Sequence, residues 1–223
     1  MSHVLEGVTH RQIRITTGAV HLPGDLATPA PASGAVIFAH GSGSSRLSPR
    51  NIQVARTLNQ AGLATLMFDL LTPVEAIDRG NVFDIALLAA RLGAATDWLH
   101  GRSEARDLPV GYFGASTGAA AALWAAAQPG ARAAAIVSRG GRPDLAEPLL
   151  GAVAAPTLLI VGGDDPVVLD LNRRAQQALR CVNELAVVPG ATHLFEEPGA
   201  LEKVADLARE WFRRYLRPAV SAS

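Results

Sequence analysis

Val110-Gly111-Tyr112-Phe113-Gly114-Ala115-Ser116-Thr117-Gly118-Ala119-Ala120-Ala121-Ala122 is the stretch whose reading decides the fold. The run 110–113 has the short, apolar character of a buried strand. The alanine-rich run 117–127 predicts a helix lying close against a sheet. Between them stands Gly114-x-Ser116-x-Gly118, so strand must become helix within a few residues. Such a turn is strained, its glycines let strand and helix approach, and the Ser116 hydroxyl projects above the sheet. Ser116 is therefore a candidate nucleophile.

A hydroxyl is a weak nucleophile and needs a base, which in turn needs an orienting acid. With the nucleophile on a turn of this kind, the expected chain order is serine, acid, histidine. Of six histidines only His193 lies downstream of Ser116. It follows the apolar run 185–188, which sets it at the carboxyl end of a strand, where sites assemble in open α/β sheets. The preceding strand run, 157–161, leads into Gly162-Gly163-Asp164-Asp165, which offers two aspartates. One of them can act as the acid while the other caps turn amides. An oxyanion formed at Ser116 needs backbone donors, and the amide of Thr117 at the helix N-terminus is the first. The second is expected from the loop His40-Gly41-Ser42-Gly43-Ser44-Ser45. Gly41-Ser42-Gly43 also matches half of a dinucleotide fingerprint. No third glycine follows at the required spacing, so no nucleotide cofactor is expected.

Around this centre, apolar runs at 35–38, 64–68, 110–113, 134–137, 157–161 and 185–188 alternate with helical patterns at 51–61, 85–99, 117–127, 169–179 and 201–216. Continuous apolar strands separated by helices require a mostly parallel sheet covered on both faces. Alternation at 12–16 and 20–22 adds an antiparallel edge pair, giving about eight strands. Residues 28–33 read as a loop. The segment between the strands near Ser138 and Thr157 is too short for a large cap. The chain, residues 1–223, is read as one α/β domain.

The composition narrows the partners. Twenty lysines and arginines balance twenty aspartates and glutamates, so no field favours nucleic acid or an anionic membrane. Hydrophobic residues make up 49% of the chain, ample for a core, and the longest strongly apolar run, 119–127, is too short to span a bilayer. The one cysteine, Cys181, excludes an intrachain disulfide. Met1 to Gly7 carries neither a basic nor an apolar leader region. These features lead us to expect a cytoplasmic protein, monomeric or homodimeric, that acts on a small molecule and uses neither metal nor cofactor.

The segments His40–Ser45, Phe68-Asp69-Leu70-Leu71-Thr72-Pro73, Gly111–Gly118, Ser138-Arg139-Gly140-Gly141-Arg142-Pro143-Asp144 and His193-Leu194-Phe195-Glu196-Glu197-Pro198-Gly199 resemble the dienelactone hydrolase family within the α/β-hydrolases. The resemblance runs over nearly the whole chain. It implies an α/β-hydrolase fold, a triad of Ser116, His193 and Asp165, and hydrolysis of esters or lactones. The family's spacing selects Asp165 over Asp164, and its placement of the oxyanion loop assigns the amide of Ser42. His40 then orders the loop. The enzyme that names the family has cysteine at the elbow. Ser116 here implies a general carboxylesterase in place of a dienelactone-specific enzyme. An acyltransferase or thioesterase would use the same triad, and a non-catalytic binding module would need none of it. Gly41, Gly43, Arg139 and Arg142 are candidate substrate contacts. Arg46, Arg50, Arg139 and Arg142 either clamp a substrate carboxylate or fix loops by pairing with Asp69, Glu75, Asp144 and Glu196.

Overall fold

The computed structural model describes residues 7–217. Residues 1–6, on which most of the expectation about a leader falls, and residues 218–223 lie outside them. The described chain builds one eight-stranded sheet in the order β1-β2-β4-β3-β5-β6-β7-β8. Strand β1 (Val8–Thr17) and β2 (Val20–Pro29) form an antiparallel hairpin, closed at Gly18 with φ 57°. β2 pairs antiparallel with β4 (Leu63–Phe68). The remaining strands, β3 (Gly34–Ala39), β5 (Val110–Ala115), β6 (Ala133–Arg139), β7 (Thr157–Gly162) and β8 (Asn183–Val188), run parallel to β4 and to one another. The expected mostly parallel α/β architecture is the one observed.

Among the described residues, six helices flank the sheet: α1 (Pro49–Gln60), α2 (Arg79–Phe83), α3 (Ile85–His100), α4 (Thr117–Ala126), α5 (Pro166–Ala178) and α6 (Ala200–Tyr215). Each central strand is buried on both faces and sends alternate residues to opposite cores. Val36, Phe38 and Phe113 meet Val54 and Leu58 of α1 and Val204 and Phe212 of α6. Ile37, Tyr112 and Ile136 meet Leu92 of α3, Ala120–Leu123 of α4 and Leu179 beyond α5. The alanines of α4 let that helix approach the strands closely, because nothing longer than a methyl stands between them. The 3₁₀ segment Pro143–Ala152, between β6 and β7, lies against α4 and α5 within that helical layer. No cap domain is inserted among the described residues.

Between β4 and α3 the chain forms a 3₁₀ turn, Glu75–Ile77, and then α2. Thr72 and Glu75 make a reciprocal capping pair: Thr72 N–H donates to Glu75 Oε2 at 2.8 Å and Glu75 N–H to Thr72 Oγ1 at 3.2 Å. Asp78 caps α2 through Gly80 N–H, and Asp84 caps α3 through Leu87 N–H. These polar caps hold a short segment that has no periodic apolar stripe to announce it.

The order of connections reverses around β3, which lies between β4 and β5. A crevice opens beyond the carboxyl ends of the strands at such a switch point. The loops after β3 and β5 carry His40–Ser45 and Ser116, so the fold brings the two motifs together there.

Candidate active site

Ser116 stands between β5 and α4 with φ 51° and ψ −119°, a backbone conformation that costs a non-glycine residue of order 1–3 kcal/mol. Its neighbours hold it there. Ser116 N–H donates to Arg139 O and Arg142 N–H donates to Ser116 O, both at 3.1 Å. The flanking glycines are sterically required. A Cβ on Gly114 would lie 2.4 Å from Ala119 Cα, and one on Gly118 would lie 2.1 Å from Ala39 O. Strand, helix and the end of β3 thus converge with no side chain between them.

His193 follows β8, and its Nδ1 lies 2.7 Å from Asp165 Oδ2. The carboxylate accepts, so Nδ1 carries the proton and Nε2 is left with a lone pair. Asp165 immediately precedes Pro166 of α5, and its side chain is 15% exposed. Asp164 is exposed and uses its amide to donate to Ala191 O at 3.0 Å, a loop-fixing role. The structure therefore sets Asp165 and not Asp164 against the histidine. Ser116 and His193 line one cavity of about 270 Å³, although no hydrogen bond joins their side chains among the described residues.

The loop after β3 is tied down from two sides. His40 Nδ1 donates to Gly41 O at 3.0 Å, while its Nε2 accepts from Leu70 N–H at 3.1 Å. Burial lowers the His40 pKa, against the Gly41 hydrogen bond and the charge of Asp69, which raise it. Ser42 N–H donates to the side chain of Thr117, 2.8 Å from Oγ1. The amide expected to serve an oxyanion is thus held toward the helix N-terminus by a hydroxyl, a relation that nothing in the sequence signalled.

The four arginines divide. Arg46 is locked between two carboxylates, with Nη1 2.8 Å from Asp69 Oδ2 and Nε 3.0 Å from Asp25 Oδ2. Arg142 forks onto Asp144 at 2.8 and 2.7 Å. Arg50 reaches Glu196 through Nη1 at 2.9 Å. Arg139 pairs with none of the carboxylates considered for it. It is 7% exposed, lines the cavity of Ser116 and His193, and its Nε and Nη1 have no hydrogen-bond partner among the described residues.

A second cavity, about 250 Å³, lies on the other side of the oxyanion loop. Leu70, Leu71, Pro73, Ala76, Val82 and Leu88 give it an apolar wall, while Gly43 and Thr117 also face it. Gly41 and Ser42 border both cavities. The sequence reading missed this wall; the one available signal was the Thr72-x-x-Glu75 capping pattern that shapes it. Cys181 lies near Thr157 at the start of β7, the opposite end of the sheet from Ser116.

A strained serine on a strand-to-helix turn, with a histidine–aspartate pair beside it at the switch point of a mostly parallel sheet, defines an α/β-hydrolase. The same fold occurs in a cold-adapted esterase from an Arctic intertidal metagenomic library, at 19% identity and a TM-score of 0.75 over 92% of this chain and 95% of that one. Dienelactone hydrolase from Anabaena variabilis is 55% identical with a TM-score of 0.92, over 95% of this chain and all of the other. The chain belongs to the dienelactone hydrolase family. A Mycobacterium tuberculosis protein named "Putative phosphoribosyl transferase" is 60% identical over 205 residues, which are 92% of this chain and 46% of that protein. The chain thus spans about half the length of that curated relative. No family model matches it.

Proposed function

We propose that the chain is a serine hydrolase of carboxylic esters or lactones, acting through an acyl-enzyme on Ser116. The observation that carries the reading is the 2.7 Å contact of His193 Nδ1 with Asp165 Oδ2, made in the cavity that Ser116 also lines. Ser116 Oγ attacks the substrate carbonyl carbon as its proton passes to His193 Nε2. Asp165 holds the ring and stabilises the imidazolium. The carbonyl oxygen becomes an oxyanion that accepts from the amide of Thr117 and, displacing the Thr117 hydroxyl, from the amide of Ser42. Collapse breaks the ester C–O bond, and His193 returns the proton to the departing alkoxide. Water, deprotonated by His193, then attacks the acyl-enzyme and releases the acid and Ser116.

Thioester cleavage or acyl transfer would use the same groups with a different leaving group or acceptor. A transferase name attaches to a relative about twice as long as the matched region, and that name covers more than the part similar to this chain. The reading includes a single domain, 1–223, with no metal or cofactor, working in the cytoplasm on a small molecule.

A fluorophosphonate probe tests it directly. Covalent labelling of the wild type and not of Ser116→Ala is expected, together with turnover of short-chain esters or lactones. Absence of labelling in a folded wild-type protein would identify a non-catalytic binding module.

A further inference from the structure

Asn172 is a polar side chain in a place that packing alone would give to leucine. It lies midway along α5 and is 0% exposed. Asparagine is a poor residue for a helix interior, and burying its amide costs free energy unless both ends find partners. Only one end does. Nδ2 donates to Val168 O, one turn back, at 2.8 Å and to Gly141 O at 3.0 Å. Oδ1 meets no donor among the described residues. Both atoms facing the amide are carbonyl oxygens, so the nitrogen is the end that points at them. Leucine, of nearly the same shape, would incur neither cost. What the asparagine adds is the bond to Gly141, 31 positions away.

Gly141 belongs to the segment Arg139–Arg142 that leaves β6, and this segment touches both halves of the site. Ser116 N–H donates to Arg139 O, and Arg142 N–H donates to Ser116 O. The nucleophile's own backbone is thus gripped from two sides. Between the two grips, Gly140 turns with φ 52° and faces His193. A Cβ on Gly140 would lie 3.5 Å from both Cε1 and Nδ1 of the ring. Gly140 N–H donates to Ile160 O at 2.8 Å, which ties the start of the turn to β7. Asn172 ties the next residue to α5, the helix that begins directly after Asp165. One buried amide therefore joins the helix behind the acid to the segment that grips the nucleophile and underlies the base.

Resting on the reading of Ser116 as nucleophile, we infer that Asn172 is a positioning residue, which fixes Gly141 and through it the alignment of Ser116 with His193. It touches neither substrate nor reacting atoms. The strained backbone of Ser116 persists only while its surroundings hold it, and the Arg139–Arg142 segment supplies two of the bonds that do. Misplacing an attacking atom by about 1 Å can cost on the order of a hundredfold in rate. Ground-state binding does not depend on that alignment, so the loss falls on kcat.

The test uses Asn172→Leu in the full chain beside two controls. Leu179→Ala weakens the core beyond the same helix. Ser138→Ala removes a buried, unpartnered hydroxyl beside Gly141 without touching the bond to Asn172. In Asn172→Leu, kcat for a neutral 4-nitrophenyl ester should fall by about tenfold or more, with KM within about threefold of wild type. The rate of fluorophosphonate labelling should fall in parallel. Both controls should keep kcat within about threefold, even where their melting temperatures drop as far. Unchanged kcat in Asn172→Leu, or an equal loss in either control, overturns the inference.

Amide hydrogen exchange, read without turnover, separates this from the reading of Ser116. The Ser116 and Arg142 amides, which donate within the grip, should exchange faster by about tenfold or more in Asn172→Leu and at wild-type rates in Leu179→Ala. Unaltered exchange in Asn172→Leu rejects the positioning role even if esters are hydrolysed. A folded wild type that takes no label overturns the reading of Ser116, and the inference with it, whatever the exchange rates. Should Asn172→Leu fail to fold, Asn172→Ala removes the same bond and carries the same comparisons.

Discussion

The amide of Ser42 donates to the hydroxyl of Thr117 at 2.8 Å, which links the loop after β3 to the first residue of α4. Both proposed oxyanion donors therefore belong to residues already joined to each other. The hydroxyl holds the one hydrogen of the Ser42 amide, so an oxyanion must displace it before that donor can serve. Thr117→Val removes the competing acceptor while keeping the volume. We expect kcat for a neutral ester to rise by up to about tenfold, the worth of one hydrogen bond, with KM little changed. Thr117→Ser should keep the wild-type rate. Equal kinetics in Val and wild type would show that the hydroxyl does not compete for the amide.

The two neighbouring aspartates should separate cleanly. Asp165→Asn loses the carboxylate that faces His193 Nδ1 and fixes the proton there. Its kcat should drop by about ten-thousandfold, as when the orienting acid of a serine triad is neutralised. Asp164 is exposed and contributes its amide, which Asp164→Asn keeps, so its rate should stay within about threefold of wild type. Steady-state kinetics on one activated ester suffices, and similar losses in both variants would refute the assignment.

Two glycines predict stability changes of opposite sign. A Cβ on Gly118 would sit 2.1 Å from the backbone oxygen of Ala39, so Gly118→Ala should cost about 3 kcal/mol or more. Gly93, inside α3, has no atom within 4 Å of its Cβ position. Gly93→Ala should stabilise by about 0.5–1 kcal/mol through the unfolded chain and helix propensity. Urea unfolding midpoints read both.

His40 gives the fold a pH dependence whose direction follows from its environment. Its pKa in the folded chain is lowered below the ordinary 6.5, chiefly by burial. On acidification the unfolded chain takes the proton first. The stability associated with the neutral ring is complete above about pH 6.5, and it declines as pH falls toward the folded-state pKa. Protonation of Nε2 would also turn the acceptor for Leu70 N–H into a donor. Unfolding free energies from pH 8 down to 5 should fall less steeply in His40→Gln than in wild type. Parallel curves would show that His40 does not contribute to the slope.

Much of the architecture was legible because parallel sheets covered on both faces write themselves as apolar runs between helices. The elbow was legible for a related reason. Gly114 and Gly118 answer close approaches within a few residues of Ser116, where local sequence and local geometry coincide. The segment Thr72–Phe83 was not, since it is held by caps and has no repeating apolar face. Its apolar residues, Ala76 and Val82 among them, acquire meaning only as the wall of a cavity whose other side is the oxyanion loop.

Sequence by itself determined the class of fold, the position of Ser116, and the order in which acid and base had to follow. Those features depend on strand and helix periods and on one short turn. Residue spacing alone left Asp164 and Asp165 both open, and family resemblance pointed to Asp165. The contact with His193 exists because β7 and β8 lie side by side. The arginines depended still more on tertiary structure. Arg46 meets Asp25 and Asp69, and Arg50 meets Glu196 146 positions away, while Arg139 alone among the four is left buried without a carboxylate. Ionic partnership depends on which distant segments the sheet brings within a few ångströms, and no local pattern records that distance.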